Sequence, residues 1–365
     1  MQTFKLDVDV EIKEISKLPF FFIIGRPRSG TTLLRTLLDA HPNVVIPQES
    51  PVILNLYRKY KDRKQWDRKH LEGFYKDLGS QGIFGVWNID KIKLKNDLIA
   101  CEGENTFENL IKVLYLNFNS IYQKGNPQII GDKNPVYSYN FRSVFSIFPE
   151  AKFIHLTRDY RDQIVSMKRM DLEMSNPALV AYRWKLSVNS LLKFKMKYAD
   201  RFYTLRYEDL VSDPENEIRS ICSFLAVTYE ESILTFHNHD NFNGFLPDTS
   251  MERYHSSLFN PIHSEKVNTW ISKLRNDEVR IADWVVGDTA EKSGYKRQFD
   301  TISQGLKIKY SPYLFYGKAW NLGRQIMNSL PFVPYMIIRN FTYWPPVMLF
   351  KIQEFINKST NDRTN

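Results

Sequence analysis

The chain has 365 residues, with 50 Lys and Arg against 41 Asp and Glu, a net charge of +9 and 43% apolar residues. This apolar content can build a core and excludes a disordered chain, and a total of two cysteines excludes a disulfide framework. Length predicts one large α/β domain with an appendage, or two domains. The positive excess indicates an anionic partner, which composition leaves open as nucleic acid, a phosphorylated ligand or an anionic membrane.

The amino-terminal region and the cysteines indicate the cellular compartment of the protein. Acidic residues precede the first apolar run, which is unlike a secretory signal. That run, residues 18–25, is eight residues long and far too short to cross a bilayer. We interpret Cys101 and Cys222 as small buried residues in a reducing compartment. A cytoplasmic location, in a bacterial cell, is the resulting expectation.

The predicted elements follow one another as in an α/β domain. Residues 20–24 (FFFII) are typical of a central parallel strand, and residues 31–40 then change to helical spacing. This succession predicts a central parallel sheet flanked by helices, opened by a P-loop-like strand, loop and helix. Further strands are predicted within 128–135 and over 151–159 and 201–210, and helices at 57–70, 102–124, 177–199 and 214–225.

The loop GRPRSGTT, residues 25–32, lies between the first predicted strand and helix. Its two glycines let the backbone curl so that amides and the helix N-terminus point at a phosphate-like anion. A nucleotide triphosphatase would carry lysine where this chain has Thr31, and here Arg26 and Arg28 supply the positive charge. The loop therefore predicts anion binding, with a plain strand–helix connection as the alternative.

The string PRSGTTLLRTLLDAHP, residues 27–42, resembles the 5′-phosphosulfate loop of PAPS-dependent sulfotransferases, closest to the tyrosylprotein and bacterial branch. The resemblance covers about residues 18–295 and implies PAPS as co-substrate, with PAP as product and no metal. Arg158 and Ser166, eight residues apart, match the family's pair for the 3′-phosphate, and an Arg at a strand end and a Ser on the next helix can converge on one phosphate. The cofactor-binding residues that the resemblance implies are Arg26, Arg28, Ser29, Gly30, Thr31, Thr32, Arg158, Ser166, Tyr207, and Ser256 or Ser257 in a late segment that also carries Trp270.

Sulfuryl transfer requires donors for the oxygen that leaves and a base for the acceptor proton. Arg28 and Lys133 are the predicted catalytic donors, because the family has a lysine near the sulfuryl group at the position of Lys133. Glu49, 21 residues after Arg28, is the predicted base, as in the tyrosylprotein branch; the alternative is a surface glutamate. His41 and His155 compete for this role, but we interpret them as a helix-end residue and a core histidine.

The last 65 residues differ in composition from the rest of the chain. Residues 301–365 hold eight Lys and Arg, two acidic residues and twelve aromatics, and form a predicted helical appendage to a sulfotransferase domain at 18–300. Their longest uncharged stretch has 14 residues with Pro331 and Pro334, so it does not span a bilayer. We expect a peripheral membrane contact through 301–358, or else packing on the core or on a second copy in a homodimer.

The acceptor is the least determined part of the function. An apolar tail without an anchor favours a lipophilic hydroxyl, such as that of a sterol or other lipid alcohol. Glycan hydroxyls and protein tyrosine are the alternatives. A P-loop kinase or NTPase disagrees with Thr31, and no nucleic-acid-recognition pattern occurs.

Overall fold

The computed structural model describes residues 14–169, 175–238, 260–335 and 337–338. The described strands are β1 (Phe20–Ile24), β2 (Val44–Val45), β3 (Gln65–Trp66), β4 (Gly103–Glu104), β5 (Ile129–Lys133), β6 (Lys152–Thr157) and β7 (Phe202–Arg206). Five of them form a parallel sheet in the order β2-β5-β1-β6-β7, and β3 pairs with β4 in a separate antiparallel ribbon. The predicted α/β class with a central parallel sheet is confirmed.

Helices cover both faces of this sheet. The described helices are α1 (Thr31–Ala40), α2 (Val52–Tyr60), α3 (Arg68–Ser80), α4 (Ile83–Val86), α5 (Lys91–Ile99), α6 (Phe107–Leu116), α7 (Tyr137–Ile147), α8 (Tyr160–Lys168), α9 (Pro177–Lys197), α10 (Tyr207–Ser212), α11 (Pro214–Leu225), α12 (Trp270–Lys273), α13 (Asn276–Val286), α14 (Thr289–Lys292) and α15 (Gln304–Ser329).

Strand β1 is the centre of the core because all five of its residues are buried and alternate between two apolar clusters. Phe20 and Phe22 face the cluster that α2, α3, α6 and α7 complete. Phe21 and Ile23 face the cluster that includes side chains of α1 and α11. A strand buried on both faces reads as a continuous apolar run, which is why FFFII was identifiable from sequence.

The carboxyl ends of four parallel strands meet at one edge of the sheet. The loop 25–30 follows β1, Lys133 ends β5, Arg158 follows β6 and Tyr207 follows β7. In open α/β sheets this edge is where ligands bind. The fold therefore brings together four segments that are widely separated in sequence.

Two predicted helices are wrong in extent because side-chain caps divide them. Instead of one helix over 57–70, α2 ends at Tyr60 and α3 begins after Asp67, whose carboxylate accepts the His70 N–H. Instead of 102–124, α6 begins after Thr106, which caps it, and ends at Leu116. Caps satisfy the free N–H groups at a helix start and set its boundary locally. The strand predicted over 201–210 is also too long, because β7 ends at Arg206 and is followed directly by α10.

The chain divides into two compact units, residues 1–314 and 315–365. The boundary expected at 300/301 stays a prediction, and the predicted tail beyond residue 338 lies outside the described residues. Helicity is present at the start of the predicted appendage, in α15. Within the described part of the chain, every helix is too short or too polar to cross a membrane.

Candidate active site

The loop between β1 and α1 has the backbone of an anion cradle. Arg28 and Gly30 both have positive φ angles, 68° and 92°, so the chain turns sharply into α1. Gly30 is the N-cap of α1, and no described side chain hydrogen-bonds the first amides of this helix as a cap. These amides and the positive end of the helix dipole are available to a phosphate-type group.

Close packing accounts for both glycines of the loop. A Cβ atom on Gly25 would lie 2.5 Å from the backbone oxygen of Leu156 on β6. A Cβ on Gly30 would lie 2.4 Å from the ring of Tyr207. The predicted nucleotide-contacting residue Tyr207 therefore packs directly against the cradle.

The predicted phosphate pair joins the same cradle. Arg28 Nε donates to Ser166 Oγ at 3.1 Å, and Arg158 Nη1 donates to the backbone oxygen of Arg28 at 3.1 Å. The Arg158 guanidinium also lies 4.6 Å from the centre of the Tyr207 ring. Residues separated by more than a hundred positions thus form one cationic group at the end of the sheet.

Lys266 belongs to this cationic group and was missed by sequence reasoning. Its backbone oxygen accepts from Arg158 Nη2 at 2.6 Å. Burial lowers the pKa of Lys266, and the charges of Arg28, Arg158 and Arg169 lower it further. Such repulsion among cations is relieved when an anion binds between them, so the donor set fits a phosphate-bearing ligand. The sequence feature that could have identified it is its position four residues before Trp270, in the same late segment.

Gln163 on α8 holds the cradle in place. Its Nε2 donates to the Pro27 backbone oxygen at 2.7 Å and to Ser29 Oγ at 3.1 Å. Ser29 and Gln163 are both buried. The helix that presents Ser166 therefore also fixes the loop that presents Arg28.

The predicted catalytic residues form a second, contiguous group. Lys133 Nζ donates to Glu49 Oε2 at 2.5 Å and to Thr32 Oγ1 at 3.3 Å. The Lys133 side chain is 5% exposed, whereas that of Glu49 is 49% exposed. Lys133 thus links the anion cradle to a carboxylate that solvent or an acceptor can reach.

Three anchors fix the segment that carries Glu49. Arg35 Nε donates to the Ile46 backbone oxygen at 3.0 Å, and Trp87 Nε1 donates to that of Gln48 at 2.8 Å. Asn134, next to Lys133, donates to the Ser50 backbone oxygen at 3.1 Å. These bonds hold the segment around Glu49 in position although it lies in a loop, as a candidate catalytic group requires.

The two histidines considered as bases lie elsewhere. His41 is the C-cap of α1, at the end of the helix opposite the cradle. Its Nε2 lies 2.6 Å from the Thr228 carbonyl oxygen and its Nδ1 accepts the Asn43 N–H, which defines a neutral tautomer. Burial holds the pKa of His41 below its ordinary value. His155 is buried within β6, and burial keeps its pKa well below the usual range. Among the described residues its Nδ1 has no hydrogen-bond partner, so it is a core histidine but not a satisfied one.

Other predicted cofactor residues remain untested by this geometry. Arg26 is buried and donates to the hydroxyl of Tyr139 on α7. Its assignment to the cofactor, like those of the other cradle residues, stays a prediction. Ser256 and Ser257 lie outside the described residues.

A P-loop-like cradle, a convergent cationic group and a lysine–carboxylate pair together define a class of α/β protein that transfers a group from a phosphate-bearing donor. The model of the sulfotransferase family matches residues 19–231. The chain belongs to the sulfotransferase family.

Relatives and solved structures agree with this family. Protein-tyrosine sulfotransferase 1 of Danio rerio is 26% identical over 269 residues, covering 72% of this chain and 68% of that protein. The Drosophila melanogaster protein-tyrosine sulfotransferase is 28% identical over 271 residues, covering 72% of this chain but 49% of its own length. The sulfotransferase domain from the curacin biosynthetic pathway has the same fold, with a TM-score of 0.51 and 21% identity over 76% of this chain and 99% of that one.

The predicted family and the predicted enzyme class, a PAPS-dependent sulfotransferase, are confirmed. The expected acceptor, a lipophilic alcohol, has less support than the family and the enzyme class. The similar proteins are named protein-tyrosine sulfotransferases, which matches the alternative of protein tyrosine better than a sterol or lipid alcohol.

Proposed function

We propose that this protein transfers the sulfuryl group of PAPS to the phenolic hydroxyl of a tyrosine in a protein or peptide. One observation carries the proposal: Lys133 Nζ contacts both Thr32 Oγ1 in the cradle and Glu49 Oε2. The donor site and the base for the acceptor must adjoin, because the bond from sulfur to the leaving oxygen breaks as the bond from sulfur to the acceptor oxygen forms. PAPS supplies the activated sulfuryl group.

The cradle and the cationic group bind the phosphate-bearing part of the donor in this proposal. The first amides of α1, with Thr31 and Thr32, face the 5′ end, and Arg158 and Ser166 face the 3′-phosphate. Lys266 adds charge at that end, where burial lowers its pKa and the charges of Arg28, Arg158 and Arg169 lower it further. Filling the space between these cations with an anion stabilises the complex.

Glu49 and Lys133 divide the chemical work. Glu49 accepts the hydroxyl proton of the acceptor as the new oxygen–sulfur bond forms. Lys133 and Arg28 donate to the oxygens on which negative charge develops. Because the Lys133 side chain is buried, its hydrogen bonds act with little competition from water.

The proposed acceptor class differs from the lipophilic alcohol expected first from sequence. The names of the relatives favour tyrosine. The chemistry agrees, since a phenol has a pKa of about 10 and gives its proton to a carboxylate more readily than an aliphatic alcohol does. A carboxylate base such as Glu49 is therefore better matched to tyrosine.

The test has a binding stage and an acceptor stage. Thermal shift and calorimetry with PAP should show stabilisation that Mg-ATP does not give, and Arg158→Ala should weaken PAP binding while the exposed Arg142→Ala does not. Labelled PAPS should then transfer sulfuryl to a tyrosine peptide and not to the same peptide with phenylalanine. No stabilisation by PAP would overturn the donor assignment. Transfer to a sterol or a glycan in preference to the tyrosine peptide would overturn the acceptor class.

A peripheral contact with an anionic membrane is part of this proposal. Phe315, Leu322 and Ile326 are 75%, 58% and 54% exposed, and spacings of seven and four put them on one face of α15. Residues 301–353 contain no Asp or Glu, and Lys318 and Arg324 lie on the same helix. An apolar stripe with basic neighbours is typical of a helix that lies in a membrane interface.

A further inference from the structure

The segment 266–270 lies against the cationic group and is held there by α8. Its first residue, Lys266, bonds Arg158 through the backbone and adds its own charge to the site. No regular element precedes it among residues 260–265, so its position depends on side-chain contacts. Asn268 within the segment has a φ of 58°, a left-handed conformation that asparagine tolerates but that needs support.

Asp162 provides most of this support. Its carboxylate is fully buried and accepts from the Asn268 N–H at 2.8 Å, Thr269 Oγ1 at 2.7 Å and the Trp270 N–H at 2.9 Å. Three donors from consecutive residues use both oxygens. Burial raises the pKa of Asp162, while the bonds from Thr269 and Trp270 and the charge of Arg158 oppose that shift. Charge-assisted bonds of this kind are about twice as strong as neutral ones.

The preceding residue, Arg161, holds the same segment from its other side. Its guanidinium lies 3.9 Å from the centre of the Trp270 ring. Two hydrogen bonds to Asp159, at 3.0 and 2.7 Å, fix the plane of that guanidinium. The first turn of α8 therefore holds residues 268–270 in place. Arg158, two residues before α8, donates a hydrogen bond to the backbone oxygen of Lys266.

We propose that Asp162 is a positioning residue for the donor site: it orders the segment 266–270 so that Lys266 stands beside Arg28 and Arg158 before any ligand arrives. This inference rests on the proposed function, because it assumes that these cations bind the phosphates of PAP and PAPS. Ordering a loop in advance improves affinity by removing the entropy loss from the binding step. Asp162 itself touches neither the donor nor the acceptor in this account.

The test variant is Asp162→Asn, which keeps the size of the side chain but replaces one accepting oxygen with a donor. The dissociation constant for PAP should rise at least about tenfold, since a lost hydrogen bond to a charged group corresponds to that factor or more. The KM for PAPS should rise similarly, while kcat at saturating PAPS changes much less. Hydrogen exchange of the amides of residues 268–270 should become faster.

The chain offers a closely matched control in Asp283. This carboxylate is also fully buried, and it also holds a loop, by accepting the Gln298 and Phe299 N–H groups at 2.8 Å and the hydroxyl of Tyr160. Asp283→Asn should lower stability by a similar route yet leave PAP affinity within about threefold of wild type. Should Asp162→Asn fold poorly, Thr269→Val removes a single donor and should weaken PAP binding, whereas Thr269→Ser should restore it.

A double-mutant cycle tests the route of the effect. If Asp162 acts through Lys266, Lys266→Ala and Asp162→Asn should weaken PAP binding by less together than the product of their separate factors. Unchanged PAP affinity in Asp162→Asn, or equal weakening in Asp283→Asn, would overturn the inference while the proposed function stands. Failure of the wild type to bind PAP would overturn both.

Discussion

The pair of Glu49 and Lys133 is the most consequential contact at the scale of single residues. Their 2.5 Å contact joins a half-exposed carboxylate to a buried lysine that also bonds the cradle. Glu49→Gln keeps the shape and hydrogen-bonding reach of the side chain but removes its capacity as a base. Turnover should fall about 100-fold to 10,000-fold, the usual contribution of a positioned general base, while PAP affinity changes little. Steady-state kinetics with labelled PAPS and calorimetry with PAP measure the two effects.

A matched control for this substitution is Glu215→Gln. Glu215 is likewise partly exposed and paired with a cation, Arg219, but it lies on α11. Its substitution should leave turnover unchanged. Near-normal turnover in Glu49→Gln would remove Glu49 from the mechanism, and loss of turnover in both variants would point to a general effect of charge.

Asp132, the residue before Lys133, predicts a pH dependence of stability. It is fully buried and accepts from the hydroxyl of Tyr137; burial raises its pKa to about 6, against an ordinary 3.8. The folded state thus binds this proton more tightly than the unfolded state, so the stabilisation is fully present below pH 3.8 and is lost as pH rises through 6. Two pKa units correspond to about 3 kcal/mol. The free energy of unfolding of Asp132→Asn should therefore increase, relative to that of wild type, as the pH is raised from 4 to 7.

Urea denaturation at several pH values measures this difference directly. The direction of the change with pH is what tests the assignment. The variant should be least stable relative to wild type at the acid end of the range. A difference between variant and wild type that stays constant across this range would mean that Asp132 does not titrate there.

At the scale of elements, the sequence predicted the bounds that depend on neighbouring residues but not those that depend on contacts with distant residues. The strand at 20–24 and the helix at 31–40 have the predicted bounds, because an apolar run and a helical period are properties of neighbouring residues. Strand β2 has two residues, Val44–Val45, too few for any period to appear. The predicted helix 57–70 is interrupted over residues 61–67, within which Trp66 pairs with Gly103. No local pattern in the sequence indicates a pairing partner so far along the chain.

The candidate site shows the same division. The spacing of Arg158 and Ser166 was visible in the sequence, and the structure brings both to Arg28. The contact of Glu49 with Lys133 joins residues 84 positions apart, and each was named from the family resemblance, not from the other. Lys266 was missed because its place depends on Asp162, more than a hundred residues earlier, whose carboxylate looks in sequence like an ordinary helix-surface charge.

At the scale of the whole molecule, the net charge of +9 separates into two parts. Residues 301–365 contribute +6 and the preceding 300 residues only +3. Under the proposed function, donor binding therefore depends on a few placed cations and not on a general positive field. The terminal 65 residues instead carry a charge density suited to an anionic surface. Salt should accordingly weaken membrane contact more than it weakens PAP binding, because exposed charges are screened and partly buried ones less so.

Vesicle flotation tests this separation. The full chain should float with vesicles that contain phosphatidylserine, less with pure phosphatidylcholine, and less again at high salt. Replacing Phe315, Leu322 and Ile326 with serine should lower binding at least about tenfold, because each buried apolar side chain is worth about 1.5–3 kcal/mol. The control replaces Ile92 and Met196, which are 76% and 86% exposed, and should float like wild type. If the triple variant floats unchanged, or instead converts a dimer to a monomer in sedimentation, the stripe does not face a membrane.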